Sequence, residues 1–178
     1  TMEKLYEGKS KIVYAGEAPG TCIIRYKDTA TAGNGAKKED LPGKGKLNAE
    51  ISNYIYQYLM DNGVKTHLLK VIDDTTVLVK QAEIVMVEVI VRNVAAGSFS
   101  KRLGVKEGTP LKCPTLEFSY KNDDYHDPLI NHYHALALGL ATQDEIDTIS
   151  KYAFQINEIL SKYLLQFNIR LIDFKLEF

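Results

Sequence analysis

"EIVMVEVIVRN", residues 83–93, is the stretch whose reading decides the fold. On an extended strand successive side chains point to opposite faces. Val85, Val87, Val89 and Val91 therefore share one face, and Ile84, Met86, Glu88, Ile90 and Arg92 share the other. Near-continuous apolar character predicts a central strand covered on both sides. The stretch "RLIDFKLEF", residues 170–178, shows the same alternation with a sharper contrast. Ile172, Phe174, Leu176 and Phe178 occupy one side of it; Asp173, Lys175 and Glu177 line the other. Such a polar face is either a solvated edge with alternating charges or the wall of a site.

The segments before residue 83 are rich in strand signals. "KLYEG" and "KIVYAG" flank a Gly-Lys-Ser turn, and "TCIIRYKD" follows as a third strand. "TATAGNGAKKEDLPGKGK" is Gly-rich and too long for a simple turn, which predicts a functional or mobile loop. From Lys46 to Asn62, Leu47, Ile51, Ile55, Tyr58 and Leu59 recur at helical spacing, with Gly63 just past the end. "HLLKVID" and "TTVLVKQA" then read as a hairpin around Asp73-Asp74. Beyond the central strand lies a polar middle, "YKNDDYHDPLINHYH", and then a long helix. Thr142 and Glu145 form its capping box, Ile146, Ile149, Ala153, Ile156, Leu160 and Leu164 its apolar stripe, and Asn168 a left-handed stop. Strands first and mixed elements later predict an α+β protein of two lobes. Residues 1–82 would form an antiparallel-sheet lobe with a Gly-rich nucleotide loop. Residues 83–178 would form a larger mixed α/β lobe, with a cleft between the two.

Bulk properties restrict the function classes. At 178 residues, with 45% hydrophobic and 25% charged residues, the composition is that of an ordinary globular protein. A net charge of -1 provides no global attraction for nucleic acid or anionic membrane. Phosphate binding would require a local cluster of Lys and Arg. No signal peptide and no bilayer-length apolar run is present. Cys22 and Cys113 are far apart and in no C-x-x-C pair, which reads as reduced thiols in a cytoplasmic protein.

Several stretches carry potential chemistry. "YEGKSKIVY" is not a Walker A sequence, because a strand rather than a helix follows. It reads either as a Gly turn folded over nucleotide phosphates, with Lys9 and Lys11 supplying charge, or as an exposed hairpin with solubilising lysines. In "VRNVAAGS", Arg92 ends a strand and Gly97-Ser98 opens a short helical stretch containing Lys101 and Arg102. Arg92, Ser98 and the free N–H groups there suit a phosphate. Alternatively Ser98 is a plain N-cap and Arg92 an ion-pair partner of Glu88. Lys121, Asp123, Asp124, His126, Asp127, His132 and His134 match no zinc spacing; they read as a solvated loop or one touching substrate. On the final strand, Glu177 and Asp173 offer hard oxygens for Mg²⁺, and Lys175 between them would offset developing negative charge.

Taken together, "YEGKSKIVY", "DTATAGNGAKK", "VEVIVRNVAAGS", "HDPLI" and "LIDFKLEF" closely resemble the SAICAR synthetase (phosphoribosylaminoimidazole-succinocarboxamide synthase) family, in order from Leu5 to Phe178. The resemblance implies an ATP- and Mg²⁺-dependent ligase of purine biosynthesis. It would join the carboxylate of carboxyaminoimidazole ribonucleotide (CAIR) to the amine of L-aspartate through an acyl phosphate. It implies that Gly8, Lys9, Ser10 and Lys11 cover the ATP phosphates, and that Lys80, Ala82 and Ile84 face adenine. Arg92 and Ser98 would hold the ribonucleotide phosphate, with Lys121 and Asp127 on its base or sugar. Lys175, Asp173 and Glu177 would work at the reacting centre, Glu177 as metal ligand, and the Asp28–Gly35 loop would close over it. A homodimer is implied, as is continuation of family members past the equivalent of Phe178 with further site residues. A small-molecule kinase and a nucleotide-binding module without catalysis are the competing readings.

Overall fold

A computed structural model of the chain describes residues 2–33 and 35–178, which divide into two compact units after Glu83. The first unit is built on an antiparallel sheet of order β1-β2-β3-β7-β6. Its strands are β1 (Lys4–Glu7), β2 (Lys11–Ala15), β3 (Thr21–Tyr26), β6 (Leu68–Asp73) and β7 (Thr76–Lys80). Cys22, Tyr26, Ala49, Leu68, Val77 and Val79 form its core.

The expected long loop is instead a hairpin. β4 (Thr29–Ala32) pairs with β5 (Lys37–Asp40), and the Thr29 hydroxyl donates to Asp40 Oδ1 at 3.1 Å. Gly33 and Gly35, at φ 60° and 85°, belong to the tip of this hairpin, where a left-handed backbone favours glycine. Asn34, inside the expected Asp28–Gly35 loop, lies outside the described residues. Helix α1 (Lys44–Asp61) starts two residues before its expected position. A Cβ on Gly45 would lie 2.9 Å from the Tyr26 carbonyl oxygen, so only glycine lets the helix approach β3 this closely. Asp28 Oδ1 accepts the Gly45 N–H at 2.8 Å and fixes that approach. Helical spacing located α1, but not its buried side. Leu47, Ile51 and Ile55 are exposed, whereas Gly45, Ala49 and Leu59 are buried.

In the second unit the sheet order is β10-β9-β8-β11, with β8 (Val87–Val94), β9 (Pro110–Tyr120), β10 (Leu129–Ile130) and β11 (Asp173–Leu176). Helix α2 (Gly97–Leu103) follows β8; α3 (His132–Ala137) and α4 (Gln143–Leu165) lie between β10 and β11. β8 starts at Val87, leaving Ile84 and Met86 exposed. Val87, Val89 and Val91 are at most 1% exposed and join Ile146, Ile149 and Ala153 of α4 in one core. Burying each valine contributes roughly 1.5–3 kcal/mol. Phe174, Leu176 and Phe178 pack against the same core, as the alternation of the last strand predicts.

Both Thr142–Glu145 bonds of the capping box form, and Asn168 has φ 57°. A polar contact also fastens α4 to β8. Asn93 Nδ2 donates to Asn157 Oδ1 at 2.7 Å, and Asn157 Nδ2 returns a bond to Asn93 Oδ1 at 2.9 Å. Asn157 is 5% exposed, so its loss would leave the amide of Asn93 short of a partner away from water. Asn157→Leu is expected to lower stability by about 1–3 kcal/mol in urea unfolding, despite its greater apolarity; unchanged stability would show that this pair contributes nothing.

Candidate functional site

Residues paired directly across an antiparallel sheet project to the same face. Glu88 is opposite Ser119; Ile90 is opposite both Glu117 and Lys175; Arg92 is opposite both Thr115 and Asp173. The face turned away from α4 is therefore polar. It is cross-linked between strands by Arg92–Asp173 at 3.3 Å and Lys175–Glu88 at 3.2 Å. Just past the ends of β9 and β11, Lys121 Nζ lies 2.9 Å from Glu177 Oε2. The structure thus brings Arg92, Ser98, Lys121, Asp173, Lys175 and Glu177 into one polar region. The three β11-side groups are only partly covered, their side chains being 35%, 52% and 40% exposed for Asp173, Lys175 and Glu177.

At the Arg92 end, the side chain is 7% exposed and its Nε donates to Glu117 Oε2 at 2.5 Å. Arg92 is an ion-pair partner, but of Glu117 and Asp173 rather than Glu88, which pairs with Lys175. Nor is Ser98 an N-cap. That position belongs to Ala96, and Ser98 Oγ instead accepts from Arg92 Nη2 at 3.0 Å and Arg102 Nη1 at 3.1 Å. The Gly97 N–H is also engaged, donating to Glu107 Oε1 at 3.0 Å. Sequence reasoning missed Glu117; the available signal was a carboxylate between Leu116 and Phe118 in an otherwise strand-like run.

Asp127 follows a 3-10 turn (Asp123–Tyr125) and accepts the Asn122 N–H through Oδ1 at 2.8 Å. His126 and Asp127 both have positive φ, 57° and 47°, a conformation that costs non-glycine residues energy and recurs at ligand-holding sites. Among the described residues no three His, Cys, Asp or Glu side chains gather as a metal cage. Mg²⁺ makes a smaller demand, one or two carboxylates completed by water and phosphate oxygens, and partly exposed Glu177 fits it; Asp173, four residues earlier on the same strand and paired with Arg92, lies about 13 Å away along the backbone.

In the first unit, Gly8, Lys9 and Ser10 form the turn between β1 and β2, closed by Gly8 N–H donating to Lys11 O at 2.9 Å. Lys27 was not singled out from sequence, yet it supports this turn three times. Its ammonium reaches Glu7 Oε2 at 2.7 Å and Gly8 O at 3.3 Å, and its N–H donates to Ser10 O at 2.8 Å. Lys11 lies 5.4 Å from the Tyr26 ring centroid, within cation–π range. His67, packed edge-on to Tyr56, is held below its ordinary pKa by burial and then by the Lys11 charge, which favours neutral imidazole. Lys80 ends β7, and Lys80, Ala82 and Ile84 are exposed, the first two in the first unit and Ile84 in the second.

The SAICAR synthetase family model matches residues 4–178. The chain belongs to the SAICAR synthetase family. Phosphoribosylaminoimidazole-succinocarboxamide synthase of Lachnoclostridium phytofermentans is 54% identical over 177 residues, 99% of this chain and 75% of the relative. The Finegoldia magna enzyme of the same name is 52% identical over 99% of this chain and 76% of its own. Among solved structures, that of the Ehrlichia chaffeensis synthase superposes with TM-score 0.94 at 43% identity, covering 99% of this chain and 74% of the other. A SAICAR synthetase in complex with ADP superposes with TM-score 0.92 at 45% identity, covering 97% and 73%. The expected α+β class is the one observed, and the family is one of ATP-dependent ligases of purine biosynthesis.

Glu7 provides a titration of the turn's support. The hydrogen bond from Lys27, followed by that from Lys4, lowers its pKa from 4.5 to about 2. A carboxylate with a depressed folded-state pKa contributes stability above its unfolded value and loses it as pH falls through the folded one. The contact is therefore expected intact above pH 4.5 and lost toward pH 2. A carboxyl NMR titration checks this: the Glu7 midpoint lies near 2 in the parent and rises toward 4.5 in Lys27→Met.

Proposed function

We propose that this chain catalyses the ATP-dependent joining of the CAIR carboxylate to the amine of L-aspartate. The observation that carries this reading is the acid-base-acid row Asp173, Lys175, Glu177, on the same polar sheet side as Arg92, Ser98 and Lys121. A carboxylate is a poor acyl donor because its leaving group would be oxide. Transfer of the ATP γ-phosphoryl group to a carboxylate oxygen breaks the bond to the β-phosphate and releases ADP. The aspartate amine then attacks the carbonyl carbon. The C–N bond forms, inorganic phosphate leaves, and the amine proton is lost.

Residue roles follow from charge and placement. Gly8, Lys9, Ser10 and Lys11 bind the ATP phosphates, the glycine admitting close backbone approach and the lysines supplying charge. Lys80, with backbone groups of Ala82 and Ile84, takes the adenine end. Arg92 and Ser98 form the ribonucleotide-phosphate subsite, and Lys121 with Asp127 holds its base or sugar. Lys175 offsets charge that grows on the reacting carboxylate and phosphoryl oxygens. Glu177 would hold Mg²⁺, which supplies Lewis-acid neutralisation of phosphate charge, and Asp173 acts at the Arg92 end of the same row.

A homodimer is the assembly we favour, supported by apolar Leu47, Ile51 and Tyr54 on α1 and Leu69 and Val71 on β6, all exposed. Cys22 and Cys113 are free thiols, in keeping with a reducing cytoplasm.

ADP release with CAIR, ATP and Mg²⁺ is expected to continue turnover after turnover only when L-aspartate is present. Release at the same rate without the amine would identify a kinase instead. Lys175→Met is expected to lower kcat by roughly 100–1,000-fold, the loss typical of one oriented charge-stabilising group. A near-parental kcat in that variant would remove Lys175 from the reacting centre.

A further inference from the structure

Each member of the row Asp173, Lys175 and Glu177 is held by a partner elsewhere in the sheet rather than by its neighbour in the row. Asp173 pairs with Arg92 at 3.3 Å, Glu177 with Lys121 at 2.9 Å and Lys175 with Glu88 at 3.2 Å. Arg92 and Lys121 have substrate roles in the proposed ligase; Glu88 has none. It is 7% exposed on β8, with Ser119 opposite it on β9 and the core residues Val87 and Val89 on either side. A carboxylate with so little access to water needs a cation. Among the described residues Lys175 is the only cation bonded to it. Arg92 is four residues further along β8, about 13 Å away, and half-buried Ile90 lies between them.

The two partners are unequally placed. The Glu88 side chain is 10% exposed and that of Lys175 52%. Glu88 is on a strand paired along both edges, with β9 and with β11, whereas the Lys175 ammonium ends a flexible four-carbon stem. The carboxylate is the fixed member and the ammonium the one that is held. An ammonium has three N–H donors. One goes to Glu88 Oε1, and the other two have no hydrogen-bond partner among the described residues. We propose that Glu88 is a positioning residue of the reacting centre, anchoring the Lys175 ammonium by one donor and leaving the other two for the oxygens on which negative charge grows. This rests on the ligase reading and adds to it a residue that touches no substrate. A lysine in water samples many rotamers; the pair selects among them before substrate arrives, and such prior orientation lowers a barrier.

Two measurements test it. The first needs no turnover: the order of the lysine ¹³Cε–H groups is measured by NMR relaxation, with the Lys175 signal assigned from Lys175→Met. Lys175 is expected to be more ordered than Lys151, exposed on α4, and to fall to the Lys151 level in Glu88→Gln, which keeps the side-chain shape and removes the charge. Equal order in the parent, or order unchanged in Glu88→Gln, overturns the proposal. The second is steady-state kinetics. A misplacement of about 1 Å can cost about 100-fold in rate, so Glu88→Gln is expected to lower kcat roughly 10–100-fold. KM for ATP, the ribonucleotide and L-aspartate is expected within about twofold of the parent, because Glu88 touches none of them. The double variant Glu88→Gln/Lys175→Met removes the buried charge together with its partner. Its kcat is expected to match that of Lys175→Met alone, as two residues acting through one ammonium require. Losses that multiply in the double variant, or a raised KM with parental kcat in Glu88→Gln, overturn it. A Lys175 that loses order in Glu88→Gln, when the parent has no ligase activity, upholds positioning by Glu88 while rejecting the ligase reading.

Discussion

A guanidinium on the middle strand of a sheet cannot be left without counter-charge, and the second unit is arranged around meeting that need. Arg92 and Glu117 are 6% and 9% exposed and meet diagonally across β8 and β9, on the same face of the sheet. Removing one partner of such a pair strands the other, at a cost of about 3–5 kcal/mol. The pair therefore constrains register as strongly as the valines do. Side chains alternate with period two, so a slip of one residue would turn Arg92 and Glu88 into the core and Val89 and Val91 out of it.

Register on the other side of β8 is set by β11. Asp173 opposite Arg92 and Lys175 opposite Ile90 put the Lys175 ammonium over Glu88 and the Asp173 carboxylate on Arg92. The same register that sends Phe174, Leu176 and Phe178 against the valine core brings the acids and the lysine to the polar side. Core packing and site geometry are two faces of one strand pairing, and the chemistry cannot drift without exposing aromatic side chains.

The first unit solves a different problem. A glycine turn between short strands has little to hold it, and β1 is exposed along its whole length. Lys27 compensates by tying Glu7, Gly8 and Ser10 from the neighbouring strand end. With His67 held toward its neutral form, the positive charge beside the turn comes from lysines.

Much of this was legible in the residues: β8 from its valines, β11 from its alternation, α4 from Thr142, Glu145 and its stripe, and the glycine turn from its flanking strands. These signals are local, because a strand's two faces and a helix's first turn are set by neighbours a few positions away. The buried side of α1, the partners of Arg92, the support from Lys27 and the pairing of Lys175 with Glu88 were not legible. The hairpin of residues 29–40 was concealed because glycines at its tip read like those of a loop. Each depends on which side chain meets which across a long separation: Arg92 with Glu117, Lys27 with Glu7, Asp173 with Arg92. Periodicity can say that a residue has a face; only the folded chain supplies what stands opposite it, and that opposition decides whether a charge is bound or free to act.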